Sequence, residues 1–202
     1  MNDPQAATIF VVDDDPAIRF AMQALLESVD LRHQILSSGN EFLEQVSSDS
    51  AGCVVLDIRM PGLGGLELQD EMKKRGYTLP IIFVTGHGDV PMAVEAMQKG
   101  AVDFIQKPFR DQELLDRIHI ALDTDEERRA EQQQHNVVAE RIALLTNRER
   151  EVFELVVTGK PNKLIAYELG VSQRTVEIHR ARVMEKMEAR SLADLVRMHL
   201  QQ

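Results

Sequence analysis

Acidic, hydroxyl and amino side chains follow the apolar runs of this sequence, each near the point where a run ends. They are Asp13, Asp14, Asp57, Thr85 and Lys107. Carboxylates that lie close together repel one another, and Mg²⁺, a hard cation that takes oxygen ligands, relieves that repulsion. In such a site Asp57 is a candidate carboxylate nucleophile that would form an aspartyl phosphate, while Lys107 and Thr85 could bind phosphoryl oxygens. This chemistry requires that the five side chains meet at one edge of the fold.

Two kinds of segment alternate over the first 122 residues. Largely apolar segments typical of strands fall at 8–12, 53–56, 79–85 and 101–105, and a short strand is predicted at 32–36. Apolar residues recur at helical spacing near 16–26, 40–46, 66–74, 91–99 and 111–122. This alternation predicts an α/β fold with a doubly wound, five-stranded parallel sheet. Polar residues at the carboxyl ends of parallel strands share one edge of the sheet, where such folds bind ligands.

Four short motifs make residues 1–122 resemble a response-regulator receiver domain, which has a flavodoxin-like fold. They are Asp13-Asp14, Asp57 with Met60-Pro61-Gly62, Thr85-Gly86 and Lys107-Pro108. The resemblance implies that Asp57 accepts a phosphoryl group from the phosphohistidine of a sensor histidine kinase. It also implies a Mg²⁺ site, whose ligands would be Asp13, Asp14, Asp57 and the main-chain carbonyl of Arg59.

The same resemblance implies a switch that responds to phosphorylation. Thr85 would move toward the phosphoryl group, and Phe104 would swing inward and remodel the face made by the fourth helix and fifth strand. Lys107-Pro108 is usually a cis peptide in this family, which is a minority state even before proline. His87 stands where the family tunes the lifetime of the phosphate. Apart from its own phosphoryl transfer and slow dephosphorylation, the domain is expected to have no enzymatic activity.

Composition and charge favour a cytoplasmic protein with one locally basic region. Cys53 is the single cysteine, which excludes an intramolecular disulfide. No apolar run approaches the roughly 20 residues of a membrane helix, and the N-terminus lacks the features of a signal peptide. Residues 1–124 hold 20 acidic and 10 basic side chains, whereas residues 146–202 hold 8 acidic and 10 basic. A nucleic acid would therefore be bound by the last third of the chain, since steering depends on local charge.

Residues 123–141 are charged and polar, and they form the predicted linker between two domains. Ala130 is the only apolar residue between Leu122 and Val137, so no face of the segment is expected to be buried. The segment has no Gly or Pro, and its Glu, Arg and Gln residues favour a helix. It is predicted to be either a solvated helical extension or a frayed linker, between domains at 1–122 and 142–202.

Four short helices are predicted after the linker, in a small all-α domain. Thr146 and Glu149 have the spacing of a capping box at the start of the first helix. Asn162 and Ser172 are the predicted N-caps of the second and third helices. Two helices joined by a short turn with Gly170 indicate a helix-turn-helix, whose second helix presents its N-terminal part to the major groove of DNA.

The third of these helices carries the candidate DNA contacts. The predicted DNA-binding residues are Arg174, Thr175, Glu177, Ile178, His179, Ala181, Arg182 and Lys186. The candidates for phosphate contacts are the basic side chains Arg174, Arg180, Arg182 and Lys186, and Ile178 could contact a thymine methyl group. His179 also belongs to the core-facing stripe of the helix, together with Val176, Val183 and Met187. A solvated charged face is the competing interpretation of the same residues.

Three further motifs make residues 142–202 resemble the LuxR-type DNA-binding domain. They are Leu145-Thr146-x-Arg148-Glu149, Asn162-Lys163-x-Ile165-Ala166 and Ser172-x-Arg174-Thr175-Val176-x-x-His179. The whole chain thus resembles a FixJ/NarL-type response regulator. The resemblance implies a homodimer when phosphorylated, an operator in double-stranded DNA and contact with RNA polymerase. Some members direct two lysines at bases, but this chain has Glu177 and Ala181 there, so the operator sequence stays open.

Two other functions stay open at this point. Asp13-x-Asp15 after a buried strand is also a feature of haloacid-dehalogenase-type phosphohydrolases, which use an aspartyl phosphate. Against that function, Pro16 makes Asp15 a helix cap, and no cap domain is evident. The other alternative is a constitutive DNA-binding module with a vestigial receiver, and the complete set of five site residues argues against it.

Overall fold

The computed structural model of this chain describes residues 6–86 and 90–200 and divides into two units after Arg128. The amino-terminal unit holds the β-sheet, and the carboxy-terminal unit is helical. The division falls within the predicted linker, residues 123–141. Each unit has its own buried apolar core, so each is described by itself.

The predicted five-stranded parallel sheet is confirmed. Its strands are β1 (Thr8–Val12), β2 (His33–Leu36), β3 (Gly52–Leu56), β4 (Ile81–Thr85) and β5 (Asp103–Gln106). Their spatial order is β2-β1-β3-β4-β5, and every neighbouring pair is parallel. All residues of β3 and β4 are buried, as expected for strands covered on both faces. The order places the ends of β1 and β3 beside each other, with β4 next.

Helices cover both faces of the sheet. They are α1 (Pro16–Ser28), α2 (Gly39–Gln45), α3 (Gly65–Lys74), α4 (Val90–Gln98) and the first part of α5 (Asp111–Ala143). Alternate residues of each strand point to opposite faces, so the core has two layers. Phe10 lies in the layer with Phe42 and Leu68, whereas Ile9 lies in the layer with Leu26. Asp15 caps α1 as predicted, since its Oδ1 accepts from the Ala17 N–H at 2.8 Å.

The helix α5 continues for 33 residues, through the predicted linker. Of the two predicted forms of that segment, the structure has the helical extension. The expectation that no face would be buried is wrong, because only 2% of Asp125 is exposed. Its carboxylate accepts from the Gly52 N–H at 2.9 Å and pairs with the Arg128 guanidinium at 2.5 Å. Neither α5 nor any other described helix combines the length and apolar character needed to cross a bilayer.

Asp125 thus binds α5 to the start of the central strand. Gly52 has φ 129°, and a Cβ added there would lie 1.9 Å from the Thr8 carbonyl oxygen, so glycine is required. Cys53 follows it and is fully buried. Burial, with a smaller contribution from Asp125, raises the pKa of the Cys53 thiol to about 12.

Four helices follow α5 in the described part of the carboxy-terminal unit, as predicted, and the last part of α5 also belongs to that unit. They are α6 (Asn147–Val157), α7 (Asn162–Leu169), α8 (Gln173–Lys186) and α9 (Leu192–Leu200). The capping box is confirmed, because the Glu149 N–H donates to Thr146 Oγ1 and the Thr146 N–H donates to Glu149 Oε2. Ser172 caps α8 as predicted. The prediction for Asn162 is wrong: Pro161 is the N-cap residue of α7, and Asn162 is the first residue of the helix.

Candidate functional site

The sheet brings Asp13 and Asp57 to the same edge, because their strands are neighbours in register. Val12 pairs with Leu56 across β1 and β3, so the residues that follow them lie side by side. The Asp57 N–H donates to the Val12 carbonyl at 2.9 Å, which fixes the two strand ends. Both carboxylates are buried, with 4% of Asp13 and 8% of Asp57 exposed. Two buried carboxylates at one edge require a positive partner.

Lys107 supplies that positive charge. Its Nζ lies 2.7 Å from Asp13 Oδ2 and 3.1 Å from Asp57 Oδ1. The Lys107 N–H donates to the Thr85 carbonyl at 2.9 Å, which holds the residue after β5 beside the end of β4. The Lys107–Pro108 peptide is cis, as the resemblance predicted. Three of the five side chains singled out in the sequence therefore meet at this edge, and the main chain of a fourth is bonded to it.

Burial and pairing act in opposite directions on the protonation of this cluster. Burial raises the pKa of the Asp57 carboxyl above its ordinary value, and the hydrogen bond from Lys107 only partly offsets that effect. For Lys107, burial lowers the pKa, but the hydrogen bonds to Asp13 and Asp57 prevail and raise it above the usual value. The ammonium therefore stays charged beside the carboxylates.

Arg19 orders the acidic loop between β1 and α1. Its Nη1 donates to the main-chain carbonyls of Asp13 and Asp14, both at 2.8 Å. Asp13 Oδ1 also accepts from the Asp15 N–H at 2.9 Å, so the Asp13 carboxylate is held by both of its oxygens. Arg19 was not among the predicted site residues. Its signal was a basic residue one turn into α1, close after the acidic run.

The carboxylate oxygens at this edge are the type of ligand that a hard cation such as Mg²⁺ prefers. Two buried carboxylates share one ammonium, which leaves a net negative charge for a cation to balance. The Arg59 N–H donates to Asp57 Oδ2 at 2.7 Å, so the residue whose carbonyl was predicted as a ligand adjoins the site. Asp14 is exposed. Over residues 6–86 and 90–200, no three His, Cys, Asp or Glu side chains are grouped to hold a metal ion.

The predicted switch residues lie close to this edge in the fold. Thr85 is the last residue of β4 and is only 2% exposed. Phe104 lies in β5, is half-buried and packs against the core layer that includes Phe83. His87 lies outside the described residues. The structure thus places Thr85 at the strand end and Phe104 one strand further along the sheet.

In the carboxy-terminal unit, α7 and α8 form the predicted helix-turn-helix. Gly170 ends α7 in the left-handed conformation, with φ 63°, and Ser172 then caps α8. Val176 and Val183 bury one side of α8 in the core. Five of the predicted DNA contacts are exposed on the rest of its surface, and they are called the recognition face below. They are Arg174, Glu177, Ile178, Ala181 and Arg182.

Lys186, another predicted DNA contact, has partners within the unit. Its Nζ donates to Glu149 Oε2 at 2.6 Å and to the Leu144 carbonyl at 3.0 Å. Glu149 is 2% exposed, and the hydrogen bond from Lys186, with those from Thr146, lowers the pKa of its carboxyl to about 2. A buried carboxylate requires a compensating charge, so Lys186 belongs to the core of the unit rather than to the recognition face.

Two more predicted contacts, Thr175 and His179, are half-buried rather than exposed. The Thr175 N–H donates to Ser172 Oγ at 3.1 Å, and the two hydroxyls are 2.8 Å apart, so Thr175 is part of the N-cap. His179 is half-buried, and its Nδ1 is enclosed without a hydrogen-bond partner in the described part of the chain. Its place in the core-facing stripe explains this enclosure.

Asn162 joins the two helices of the helix-turn-helix. Its Oδ1 accepts from Arg180 Nη1 at 3.0 Å, so the amide on α7 fixes a guanidinium on α8. From the sequence, Asn162 was predicted to be a helix cap and Arg180 a phosphate contact. The pair was missed because residues 18 apart in sequence meet only through the turn between the helices.

Comparisons with known proteins match both units. The response regulator receiver domain matches residues 9–119, and the luxR family of bacterial regulatory proteins matches residues 143–199. Nodulation protein W of Bradyrhizobium diazoefficiens is 48% identical over 192 residues, which cover 95% of this chain and 85% of that protein. The transcriptional regulatory protein FixJ of Azorhizobium caulinodans is 46% identical over 197 residues, 98% of this chain and 93% of that protein. The solved structure of the response regulator StyR matches with a TM-score of 0.88 and 41% identity, over 97% of this chain and 99% of StyR.

Proposed function

Because this chain belongs to the two-component transcriptional response regulators that join a receiver domain to a LuxR-type DNA-binding domain, we propose that phosphorylation of Asp57 controls its binding to DNA. The observation that carries this proposal is the bridge that Lys107 makes between the buried carboxylates of Asp13 and Asp57. It is the arrangement that a phosphoacceptor needs, with a nucleophilic oxygen beside a fixed positive charge.

The proposed reaction is a phosphoryl transfer from the phosphohistidine of a sensor histidine kinase. An Asp57 carboxylate oxygen attacks the phosphorus, the P–N bond breaks, and the imidazole of the kinase leaves. Lys107 then pairs with a phosphoryl oxygen, and Thr85, at the end of β4, donates a hydrogen bond to another. Water later hydrolyses the acyl phosphate. Phe104 packs more deeply as the switch responds.

Receiver domains bind Mg²⁺ at the phosphorylation site, and in this chain Asp13, Asp14, Asp57 and the Arg59 carbonyl would hold it. The ion would supply positive charge that offsets the charge of the arriving phosphoryl group. Asp13 and Asp57 already lie together, and Asp14, the residue after Asp13, is exposed.

The output of the proposed switch is transcription from an operator in double-stranded DNA. Phosphorylated chains form a homodimer, and two recognition faces then bind a two-fold-related site, which multiplies the modest affinity of one domain. Bound at a promoter, the dimer contacts RNA polymerase. A cytoplasmic location, where the kinase domain and operator are both accessible, is part of this proposal.

We further propose that the chain has no turnover substrate of its own. A phosphohydrolase of the alternative type would use Asp15 as a catalytic group, whereas here Asp15 Oδ1 is bonded to the Ala17 N–H as a helix cap. A vestigial receiver is disfavoured by the intact Asp13–Lys107–Asp57 bridge.

Incubation of the full chain with acetyl phosphate and Mg²⁺ tests the proposal directly. Mass spectrometry should find one labile phosphate, on Asp57, and a gel shift should show higher affinity for DNA after the treatment. Asp57→Asn should take up no phosphate, whereas the control Asp116→Asn, at an exposed carboxylate on α5, should behave like the unaltered chain. Equal phosphate uptake or equal gain in affinity by Asp57→Asn would contradict the proposal.

A further inference from the structure

The recognition face carries one acidic side chain, Glu177, although a carboxylate on such a surface is repelled by the phosphates of DNA. Glu177 is exposed on α8 among Arg174, Ile178, Ala181 and Arg182. A carboxylate near the phosphates of DNA is repelled by them, so an acid on a DNA-binding surface weakens non-specific binding. Such a residue contributes to recognition only where it gains a specific contact with a base.

The neighbours of Glu177 do little to neutralise it. Arg174, one turn earlier, has its guanidinium 3.8 Å from Glu177 Oε2, with 83% of the Arg174 side chain exposed. An exposed ion pair of this kind contributes little and is readily exchanged for other contacts. Arg180, one turn later, donates to Asn162 instead. Ala181 completes the next turn with a side chain too short to shield the carboxylate from a base edge.

The major groove offers a carboxylate few suitable partners. Hydrogen-bond donors there are the amino groups of cytosine N4 and adenine N6. Adenine places the N7 acceptor beside its amino group, and the lone pair of N7 repels a carboxylate. Guanine and thymine present only acceptors or a methyl group on that edge. Cytosine is therefore the base with which an exposed Glu carboxylate forms the most favourable hydrogen bond in the major groove.

We propose, on the basis of the function proposed above, that Glu177 is a specificity-determining residue that accepts a hydrogen bond from the N4 amino group of a cytosine in each half of the operator. The contact offsets the repulsion between Glu177 and the phosphates only at sequences with a cytosine in that place. Glu177 thereby rejects other sequences as well as selecting its own.

Selection from a library of randomised duplex DNA tests this role with the full chain, treated with acetyl phosphate and Mg²⁺. The unaltered chain should enrich sites with a cytosine at one position per half-site. Glu177→Ala should lose that preference, a change of roughly 5- to 150-fold in discrimination, while its affinity for random DNA is unchanged or higher. Glu177→Gln should shift the preference toward adenine, because an amide pairs with both N6 and N7.

Glu185→Ala is the matched control. Glu185 is also an exposed acid on α8, but it lies two turns further from the N-terminal part of the helix. The Glu185→Ala substitution removes the same charge as Glu177→Ala, so it should raise the affinity for random DNA without changing the enriched sequence. The same base preference in Glu177→Ala and in the unaltered chain would overturn the proposal.

A second measurement needs no protein variant. Once the enriched site is known, its cytosine is replaced by N4-methylcytosine, which keeps the base pair but removes the free amino hydrogen from the major groove. Affinity should fall to the level of a site with the wrong base, whereas 5-methylcytosine at the same position should leave the amino contact available. An unchanged affinity for the N4-methylated site would contradict the proposal. If the unaltered chain enriches no sequence at all, the proposed function fails instead.

Discussion

Asp13, Asp57 and Lys107 reach one another from the ends of different strands, with Lys107 94 residues from Asp13 and 50 from Asp57. The recognition face, in contrast, comes from a single helix, within nine residues from Arg174 to Arg182. The carboxylates of the first cluster are buried and paired with the half-buried Lys107, whereas the recognition face is exposed to solvent.

The difference predicts how each region responds to change. In the buried cluster, every group depends on its partners, so removal of one leaves the others unpaired and the loss is large. On the exposed face, each side chain acts on DNA with few partners inside the protein, so the losses are smaller and add up. Three substitutions would test this contrast.

The largest effect is expected from Lys107→Met. The change removes the positive charge that faces the phosphoryl oxygens, and loss of such a preorganised group costs about 10²–10³-fold in rate. Phosphorylation by acetyl phosphate with Mg²⁺ should slow by that factor, measured by mass spectrometry over time. Lys99→Met, which removes a lysine paired with Asp70 and Glu95 on the surface, should react at the normal rate. A rate for Lys107→Met within twofold of normal would contradict the contrast.

An intermediate effect is expected from Lys186→Met, because Lys186 lies on α8 but is bonded to the buried Glu149. Loss of this charged partner should destabilise the carboxy-terminal unit by about 1–3 kcal/mol. Hydrogen exchange of the α6 and α8 amides would measure this loss. Arg182→Met, on the recognition face, is the control and should leave the exchange rates unchanged.

The pH dependence provides a second check on Lys186. The pKa of Glu149 is lowered in the folded unit from 4.5 to about 2, so its ionised form stabilises the unit fully above pH 4.5. This stabilisation is lost as the pH falls from about 4.5 to about 2. In Lys186→Met the folded pKa should move back toward 4.5, and the acid-dependent loss should shrink. An identical pH profile in both proteins would show that Lys186 does not hold the Glu149 carboxylate.

The smallest effect is expected from Arg174→Ala. Within the protein the Arg174 guanidinium has only the weak, exposed pair with Glu177, so its main effect is expected on DNA. Loss of one phosphate contact makes the dependence of log affinity on log salt concentration shallower by about 1. Fluorescence anisotropy with random duplex DNA at several salt concentrations should show a loss of only a few-fold. Arg190 is exposed beyond the end of α8, so Arg190→Ala should leave the salt dependence of DNA binding unchanged. A hundredfold loss would remove the contrast between the two regions.

The sequence predicted most of the fold because its signals were local and strong. Apolar runs identified β1, β3 and β4, and the more polar segments 32–36 and 101–105 were matched to β2 and β5 by the alternation with helices. The Asp15, Thr146 and Ser172 caps fixed the starts of three helices. The strand ends then predicted that Asp57 and Lys107 would meet, since parallel strands align their carboxyl ends. The receiver site was predictable because regular geometry alone brings its residues together.

Other contacts could not be predicted because they depend on tertiary packing. Lys186 has the same local pattern as the exposed basic residues before it, and only the fold shows Glu149 within its reach. Asp125 lies in a polar run without an apolar stripe, so nothing in the sequence distinguished it from its exposed neighbours. Asn162 was read as a cap from its residue type, whereas Pro161 took that position.

The hydrogen bond from the Gly52 N–H to Asp125 has a practical consequence for anyone who isolates the receiver domain. A fragment that stops at residue 122 lacks this carboxylate and leaves the Gly52 amide at the root of β3 without its acceptor. The fragment also lacks the smaller of the two effects that raise the pKa of the neighbouring Cys53 thiol. A fragment that ends after Arg128 retains both ends of the central strand in their native surroundings.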